Sequence, residues 1–177
     1  YDNCPNDEFR ETFKLPQYIY KMLENNWLGS KTDGGFYKRI KDEKGKSTIL
    51  SLDLKTLEYS PVKKVSFETV SLARKVTNVL DRFPILIEGK DKAGEFYRFN
   101  FGTMFSYIQN RIPEISDELY RIDDALRAGF GWKNGPFQIW NSIGIKKGVD
   151  IMKSLGYEPA PWLSLIHISE PTRRKRI

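Results

Sequence analysis

Hydrophobic residues recur in the first part of the chain at the spacing of an amphipathic helix. Between Pro16 and Gly29 the apolar side chains fall three or four positions apart, as on one face of a helix. They are Ile19, Met22, Leu23 and Trp27. Proline suits a first helical position and glycine suits the residue after a last turn. The pattern therefore predicts a helix that begins at Pro16 and is capped at Gly29.

The period changes to that of β-strands after this helix. Two short apolar runs, 36–40 and 48–54, are separated by the polar segment 41–46. In the second run leucines alternate with polar residues, which is typical of a half-buried strand, so the two runs predict a β-hairpin. We interpret the lysines of this hairpin as a solvated edge that discourages the addition of another strand.

Helical spacing resumes after the hairpin and continues almost to the end of the chain. Ser66 and Ser116 are candidate N-caps, and one long segment carries an apolar stripe of Phe101, Phe105, Ile108 and Ile112. The predicted helices are 66–80, 91–112, 116–129, 136–143 and 145–155. We therefore predict a mainly α fold, a helical bundle with one inserted β-hairpin.

The segment 163–177 contributes part of the chain's formal net charge. It reads LSLIHISEPTRRKRI and holds the only histidine, His167, and four basic residues. Such a cluster can serve nuclear import or nucleic-acid binding, or it can be a solvated end. The string resembles a translated sequencing adapter, however, and we interpret it as a non-native tail. Without it the formal charge falls from +6 to +3, which gives no reason to expect a nucleic-acid partner.

Composition excludes several classes of protein. Cys4 is the only cysteine, so no intrachain disulfide can form and a reducing, cytoplasmic location is expected. No apolar run approaches the roughly 20 residues of a membrane helix, so no membrane span is expected. The start at Tyr1 lacks methionine and the features of a signal peptide, and we expect the chain to be a piece of a longer one.

Few groups in the body of the chain are suited to acid–base or nucleophilic chemistry. With no histidine before the tail, neither a Ser-His nor a Cys-His nucleophile can be assembled. The adjacent residues Asp123 and Asp124 point in different directions on a helix, so we expect a solvated face rather than a carboxylate dyad. Lys31 lies in a glycine-flanked turn, where it could hold an anion or be a plain turn lysine.

Two stretches resemble one enzyme family. WLGSKTDGGFYKR, residues 27–39, is similar to the string that closes the C-terminal domain of 3-hydroxyacyl-CoA dehydrogenases. FGWKNGPFQIWNSIGIKKGVDIMKSLGY, residues 130–157, resembles the Gly-Pro-Phe helix motif of the same domain. The resemblance covers residues 9–162. Larger members carry this domain in tandem, so the chain resembles the end of a first copy followed by a second copy.

The resemblance implies four segments. Residues 1–40 correspond to the end of a first C-terminal copy and residues 41–65 to the hairpin and a linker. Residues 66–162 correspond to a second helical copy, and residues 163–177 to the non-native tail. The fold implied is a bundle like the C-terminal domain of 6-phosphogluconate dehydrogenase. Its apolar face is expected to pack on a first copy of the domain or on a second protomer in a homodimer.

The resemblance also implies a function for the parent protein. Members oxidise a 3-hydroxyacyl-CoA to the 3-ketoacyl-CoA in fatty-acid β-oxidation, with NAD as the cofactor and acyl-CoA as the substrate. The family's Rossmann domain binds NAD and contributes a His-Glu pair, and it precedes the region matched here. The chain alone is therefore expected to hold no catalytic residue and no metal ligand, and to be inactive.

One site residue is carried over from the family. Lys31 matches the lysine of the closing string that contacts the nicotinamide cofactor, whereas Asp33 stands where the family has glycine, and its carboxylate would repel a phosphate. A function of a different class is a non-catalytic helical binding or dimerisation module. A Rossmann strand-glycine-helix unit encoded before Tyr1 would favour the enzyme.

Overall fold

The structure is a computed structural model that describes residues 1–32, 34–41 and 45–166. His167 and the basic cluster of the predicted non-native tail lie outside the described residues. The chain divides into two units, Tyr1–Val65 and Ser66–Ile177, and each is described by itself.

The first unit begins with a short 3₁₀ helix, Arg10–Phe13, and a helix α1, Gln17–Glu24. Pro16 is the N-cap of α1, so the helix starts one residue after the predicted first position, and Met22 is buried. The predicted end of the helix is wrong. Asn26 adopts a left-handed φ of 56°, which stops the helix at Glu24. Trp27 therefore lies outside α1, and Gly29 does not cap it.

A three-stranded antiparallel sheet follows in the order β1-β2-β3. Its strands are β1, Tyr37–Lys41, β2, Ser47–Leu52, and β3, Tyr59–Pro61. Tyr37 pairs with Ser51 in the first ladder, and Leu52 pairs with Tyr59 in the second. The predicted hairpin is confirmed, whereas the third strand is missed by the sequence pattern because three residues are too few to show a period.

The second unit is helical throughout its described part. Its helices are α2, Glu68–Arg74, α3, Arg82–Glu88, α4, Lys92–Gln109, α5, Leu119–Phe130, α6, Pro136–Ile143, α7, Ile145–Ser154, and α8, Pro161–Ile166. Together with the small sheet these helices confirm the predicted fold class, mainly α with an inserted hairpin.

Two predicted helix starts in this unit are wrong. Phe67, rather than Ser66, is the N-cap of α2, and that helix ends at Arg74 instead of continuing to residue 80. The hydroxyl of Ser116 accepts a 3.1 Å hydrogen bond from the backbone N–H of Glu118, which forms a local turn ahead of α5. Helix α5 therefore starts at Leu119.

The core of the second unit lies where α4, α6 and α7 meet. The rings of Phe105 and Trp140 stack with their centroids 4.5 Å apart, and both residues are fully buried. Gly102 allows α4 to approach α7, because a Cβ atom there would lie 2.6 Å from Leu155 and 2.9 Å from Ile151. The predicted aromatic stripe of α4 thus belongs to the core.

A hydrogen-bonded clasp connects the end of α4 to the segment before α8. The buried side chain of Gln109 donates to the carbonyl of Glu158 and accepts from the N–H of Ala160, each at 2.8 Å. The indole N–H of Trp162 donates to the Gln109 carbonyl at 3.1 Å. The clasp gives the buried amide of Gln109 both a hydrogen-bond acceptor and a donor from the backbone before α8.

Candidate functional site

The loop between α1 and β1 is closed on itself by hydrogen bonds. The N–H of Gly29 donates to the carbonyl of Gly34 at 2.8 Å. The hydroxyl oxygen of Thr32 accepts from the Leu28 N–H at 3.0 Å and lies 3.1 Å from the carbonyls of Gly29 and Gly34. Gly29 has a φ of 127°, which disfavours a side chain. The closed loop places Lys31 at its turn, where the side chain is exposed.

A cleft of 440 Å³, which we call the β1 cleft, lies beside this loop and strand β1. Its lining residues are Ser30, Thr32, Gly34, Tyr37, Lys38, Arg39 and Ile49. Lys31 is not among them, although its neighbours on both sides are. The sequence interpretation places the lysines of the hairpin on a solvated edge, and the cleft shows that Lys38 and Arg39 line one concave surface.

The position of Lys38 is tied to the closed loop by Tyr59. The Tyr59 hydroxyl donates a 2.6 Å hydrogen bond to the carbonyl of Gly35. The Lys38 ammonium lies 5.8 Å from the centre of the Tyr59 ring, at the outer range of a cation–π contact. A Cβ atom on Gly34 would lie 2.7 Å from the Tyr59 hydroxyl, so the glycine permits this approach.

In the second unit, Asp123 of α5 caps the start of α6. One carboxylate oxygen accepts from the backbone N–H of Phe137 at 2.8 Å, and the other accepts from Gln138 at 3.1 Å. Asp123 is only 5% exposed, so the expectation of a solvated face is wrong for this residue. Burial raises the pKa of the Asp123 carboxyl, and the two backbone donors act in the opposite direction.

The Asp123 carboxylate has a positioning role in this arrangement. Its neighbour Asp124 is exposed and lies 3.4 Å from Arg127 on the surface, so the two aspartates form no dyad. Gly135 has no side chain where Asp123 approaches, and its N–H donates to the side chain of Gln138 at 3.0 Å. The Gly-Pro-Phe motif therefore builds and orients a helix start.

An apolar groove of 500 Å³ separates α4 from α5. Its lining residues are Met104, Tyr107, Ile108, Arg111, Ile115, Ser116, Arg121, Ile122, Ala125, Leu126 and Trp132. Ile115 is 71% exposed and Trp132 is 39% exposed. Arg111 is 3.0 Å from Glu114, and Arg121 is 2.6 Å from Glu118, so both cations at the groove are already paired with carboxylates. The groove is suited to covering by another apolar surface.

Two general properties of the described residues bear on the chemistry. Within 1–32, 34–41 and 45–166, no three histidine, cysteine, aspartate or glutamate residues are grouped so that they could hold a metal ion. None of the helices in those ranges is both long enough and apolar enough to cross a membrane.

Comparisons with known proteins identify relatives of the chain. It is 34% identical over 163 residues to a Bacillus subtilis protein named probable 3-hydroxyacyl-CoA dehydrogenase. The aligned region covers 92% of this chain and 20% of that protein. It is 26% identical over 146 residues to a Rickettsia prowazekii protein named putative fatty acid oxidation complex trifunctional enzyme, covering 82% of this chain and 18% of that protein. A Rickettsia felis protein of the same name is 28% identical over 155 residues.

The similarity concerns one region of much longer proteins. The chain spans about one fifth of the length of the curated relatives it matches. No family model and no solved structure matches it. The resemblance predicted from its two motifs is confirmed, and the chain is a homologue of a region of 3-hydroxyacyl-CoA dehydrogenases and fatty acid oxidation trifunctional enzymes.

Proposed function

We propose that the chain is a C-terminal helical part of an enzyme that oxidises 3-hydroxyacyl-CoA to 3-ketoacyl-CoA with NAD in fatty-acid β-oxidation. The observation that carries the proposal is the identity of 34% with the Bacillus subtilis relative over 92% of this chain. The order of the two motifs, 27–39 before 130–157, supports the same assignment. The chain's own part in the enzyme is structural, on the acyl-CoA side.

The chain by itself is proposed to be inactive. Its described residues form one antiparallel sheet and helices, and they contain no parallel strand–helix unit of the kind that binds a dinucleotide. They also contain no imidazole, since the only histidine is His167. Hydride transfer and proton abstraction therefore depend on groups that the described part of this chain does not supply.

We propose Lys31 as a cofactor contact at the edge of the enzyme's active site. Its support is the match to the closing string of the family and its exposed place on the closed loop. Lys38 and Arg39, which line the neighbouring cleft, add positive charge near this loop. When bound, NAD would accept the hydride, and the loop would hold one end of the cofactor.

A chimeric enzyme tests the proposal. In the Bacillus subtilis relative, the matching 163 residues are replaced by the corresponding residues of this chain, and acetoacetyl-CoA-dependent oxidation of NADH is followed. The same relative with that region deleted is the control. We expect the chimera to retain kcat/KM within roughly tenfold of the relative and the deletion to have none. A chimera that is folded by circular dichroism yet inactive contradicts the proposal.

A substitution in the chimera tests Lys31. We expect Lys31→Met to raise the KM for NADH roughly tenfold with little change in kcat, because a charge-assisted contact to the cofactor is lost. Lys63→Met, at an exposed position that does not line the β1 cleft, is the matched control and is expected to leave KM unchanged. An equal KM for both variants contradicts the role of Lys31.

A second function is favoured by the apolar groove between α4 and α5. Its exposed Ile115 and Trp132 would suit a non-catalytic binding or dimerisation module, or packing on another helical copy of the same protein. The chimera distinguishes the module from the enzyme part: an active chimera favours the enzyme, and an inactive, folded chimera favours the module. Association of the purified chain is expected in both cases, because both leave this groove to be covered by another apolar surface.

A further inference from the structure

The segment before α6 contains a pair of residues that can react with each other. Asn134 is the only asparagine in the chain that is followed directly by a glycine. In such a pair the side-chain amide carbon of the asparagine can reach the next backbone nitrogen, and glycine, which has no Cβ atom, leaves that nitrogen open to react. The pair is therefore a candidate site of spontaneous deamidation.

The reaction uses the chain itself and one water molecule. The backbone nitrogen of Gly135 loses its proton and attacks Cγ of Asn134, and the new C–N bond closes a five-membered succinimide ring. The bond from Cγ to the side-chain nitrogen breaks, and this nitrogen takes up the proton and leaves as ammonia. Water then adds to either carbonyl of the ring and opens it to aspartate or isoaspartate at position 134.

The oxygen of the Asn134 side chain is not held in place by a hydrogen bond. Its Oδ1 atom is buried, yet it accepts no hydrogen bond from a described residue. A buried acceptor without a donor is a cost to the folded state. Hydrogen bonding at this carbonyl therefore does not oppose rotation of the amide toward the backbone of the next residue.

The backbone of Gly135, by contrast, is held on both sides. Its N–H donates a 3.0 Å hydrogen bond to Oε1 of Gln138, and its carbonyl accepts a 3.0 Å bond from the N–H of Ile139. The Asp123 side chain packs so closely here that a Cβ atom on Gly135 would overlap it. The nitrogen that must attack is thus fixed by the first turn of α6.

We propose that Asn134 is a site of spontaneous deamidation and that the hydrogen bond from Gly135 to Gln138 sets its rate. The nitrogen of a succinimide carries no hydrogen, so the ring and this hydrogen bond exclude each other. Gln138 is a positioning residue that protects the pair as long as the first turn of α6 is closed, and local opening of that turn allows the reaction. The inference does not depend on the proposed enzyme function.

Isoaspartate at position 134 would disturb the start of α6. It routes the main chain through the former side chain and adds one methylene before Gly135. This shifts Gly135 relative to Asp123, whose carboxylate accepts from the first N–H groups of α6. The deamidated fraction has one more negative charge and can be separated by anion exchange. We expect it to melt at a lower temperature than the intact protein, and an equal melting temperature would contradict this effect.

Peptide mapping of the full chain tests the proposal. The purified protein is incubated at mildly alkaline pH, either folded or unfolded in urea, and then digested with trypsin. One peptide, 134–146, contains both Asn134 and Asn141, and mass spectrometry with fragmentation quantifies deamidation at each. We expect Asn134 to react more slowly in the folded protein than in urea. Asn141 lies inside α6 before a serine and is the internal reference.

Two variants assign the protection to Gln138. Gln138→Leu removes the acceptor, and we expect it to speed the reaction of Asn134 in the folded protein roughly fivefold, since about one hydrogen bond is lost. Gln138→Glu keeps an oxygen acceptor and should leave the rate close to that of the parent. In urea all three proteins should react at the same rate at Asn134, and the folded variants should show no change at Asn141.

Three results would overturn the proposal. Asn134 that stays intact in urea would show that the pair is not a site of deamidation. Equal rates in folded Gln138→Leu and in the parent would show that the hydrogen bond does not set the rate. A rise at Asn141 as large as that at Asn134 would assign the effect of Gln138→Leu to general unfolding.

Discussion

The carboxylate of Asp123 and the backbone N–H of Phe137 are joined by a buried 2.8 Å hydrogen bond between α5 and α6. A second bond of 3.1 Å runs from the Gln138 N–H to the same carboxylate. A side chain of one helix thus satisfies the free N–H groups at the start of the next, which a local N-cap usually does. These two hydrogen bonds tie α5 to the start of α6, the helix that carries the core residue Trp140.

Removal of this carboxylate should destabilise the second unit. We expect Asp123→Ala to lower the free energy of unfolding by about 1–3 kcal/mol, because two N–H groups lose their acceptor. Asp124→Ala is the matched control, since Asp124 is exposed and should change stability by less than about 0.5 kcal/mol. Urea unfolding followed by circular dichroism measures both, and equal effects would contradict the capping role.

A methyl group at Gly135 should disturb the same contact. Its Cβ atom would overlap the Asp123 side chain, so we expect Gly135→Ala to cost about 1–3 kcal/mol. Gly129, in α5, has open space around the equivalent position, and Gly129→Ala should stabilise the helix by about 0.5–1 kcal/mol. Thermal unfolding of the two variants should therefore shift in opposite directions. A stabilised Gly135→Ala protein would be the contrary result.

Acid should weaken the start of α4 through Asp91. Its carboxylate accepts from the backbone N–H groups of Gly94 and Thr69, and the Gly94 bond lowers the pKa of Asp91 below its usual 3.8. A lowered folded-state pKa gives stabilisation that is present above pH 3.8 and lost as the pH falls through the folded pKa.

The substitution Asp91→Asn isolates this effect, because asparagine also caps helices but does not titrate. We expect the melting temperature of Asp91→Asn to fall less than that of the parent between neutral pH and about pH 3. The carboxyls of Asp150 and Glu118, whose pKa values are also lowered, are present in both proteins and do not affect the comparison. An equal fall in melting temperature in both proteins over this pH range would show that the titration of Asp91 does not contribute to stability.

The carboxylate that replaces the family's glycine should weaken cofactor binding at Lys31. Asp33 lies two positions from Lys31 in the sequence. In the chimeric enzyme we expect Asp33→Gly to lower the KM for NADH roughly threefold to fivefold, because a carboxylate that would repel the cofactor's phosphates is removed. Asp2→Gly makes the same charge change far from Lys31 in the sequence and should have no effect. An unchanged KM in Asp33→Gly would exclude the repulsion.

The sequence predicts the kinds of elements better than their ends. Helix α4 and the short helices α6 and α7 follow from periodicity and from glycines, and these signals are local. The end of α1 depends on the backbone conformation of Asn26, and the start of α5 depends on a side-chain bond of Ser116. Both are single-residue events that averaged propensities do not resolve.

The candidate sites show the same limit over longer distances. Periodicity correctly separates the directions of Asp123 and Asp124, but only the placement of α6, a later element, decides which carboxylate is buried. Likewise Lys38 and Arg39 are neighbours along a strand, and the sequence places the lysines of this hairpin on a solvated edge. Their shared cleft arises because the closed loop lies beside that edge, which no local pattern encodes.

The Gln109 clasp has a consequence for synthesis of the protein on the ribosome. Its hydrogen bonds join residues 49 to 53 positions apart, from the end of α4 to Trp162. Helices α4 to α7 emerge first, and the buried amide of Gln109 has no acceptor or donor from Glu158 and Ala160 until those residues have left the exit tunnel. The nascent second unit therefore stays open at this end, and its closure is among the last steps of folding.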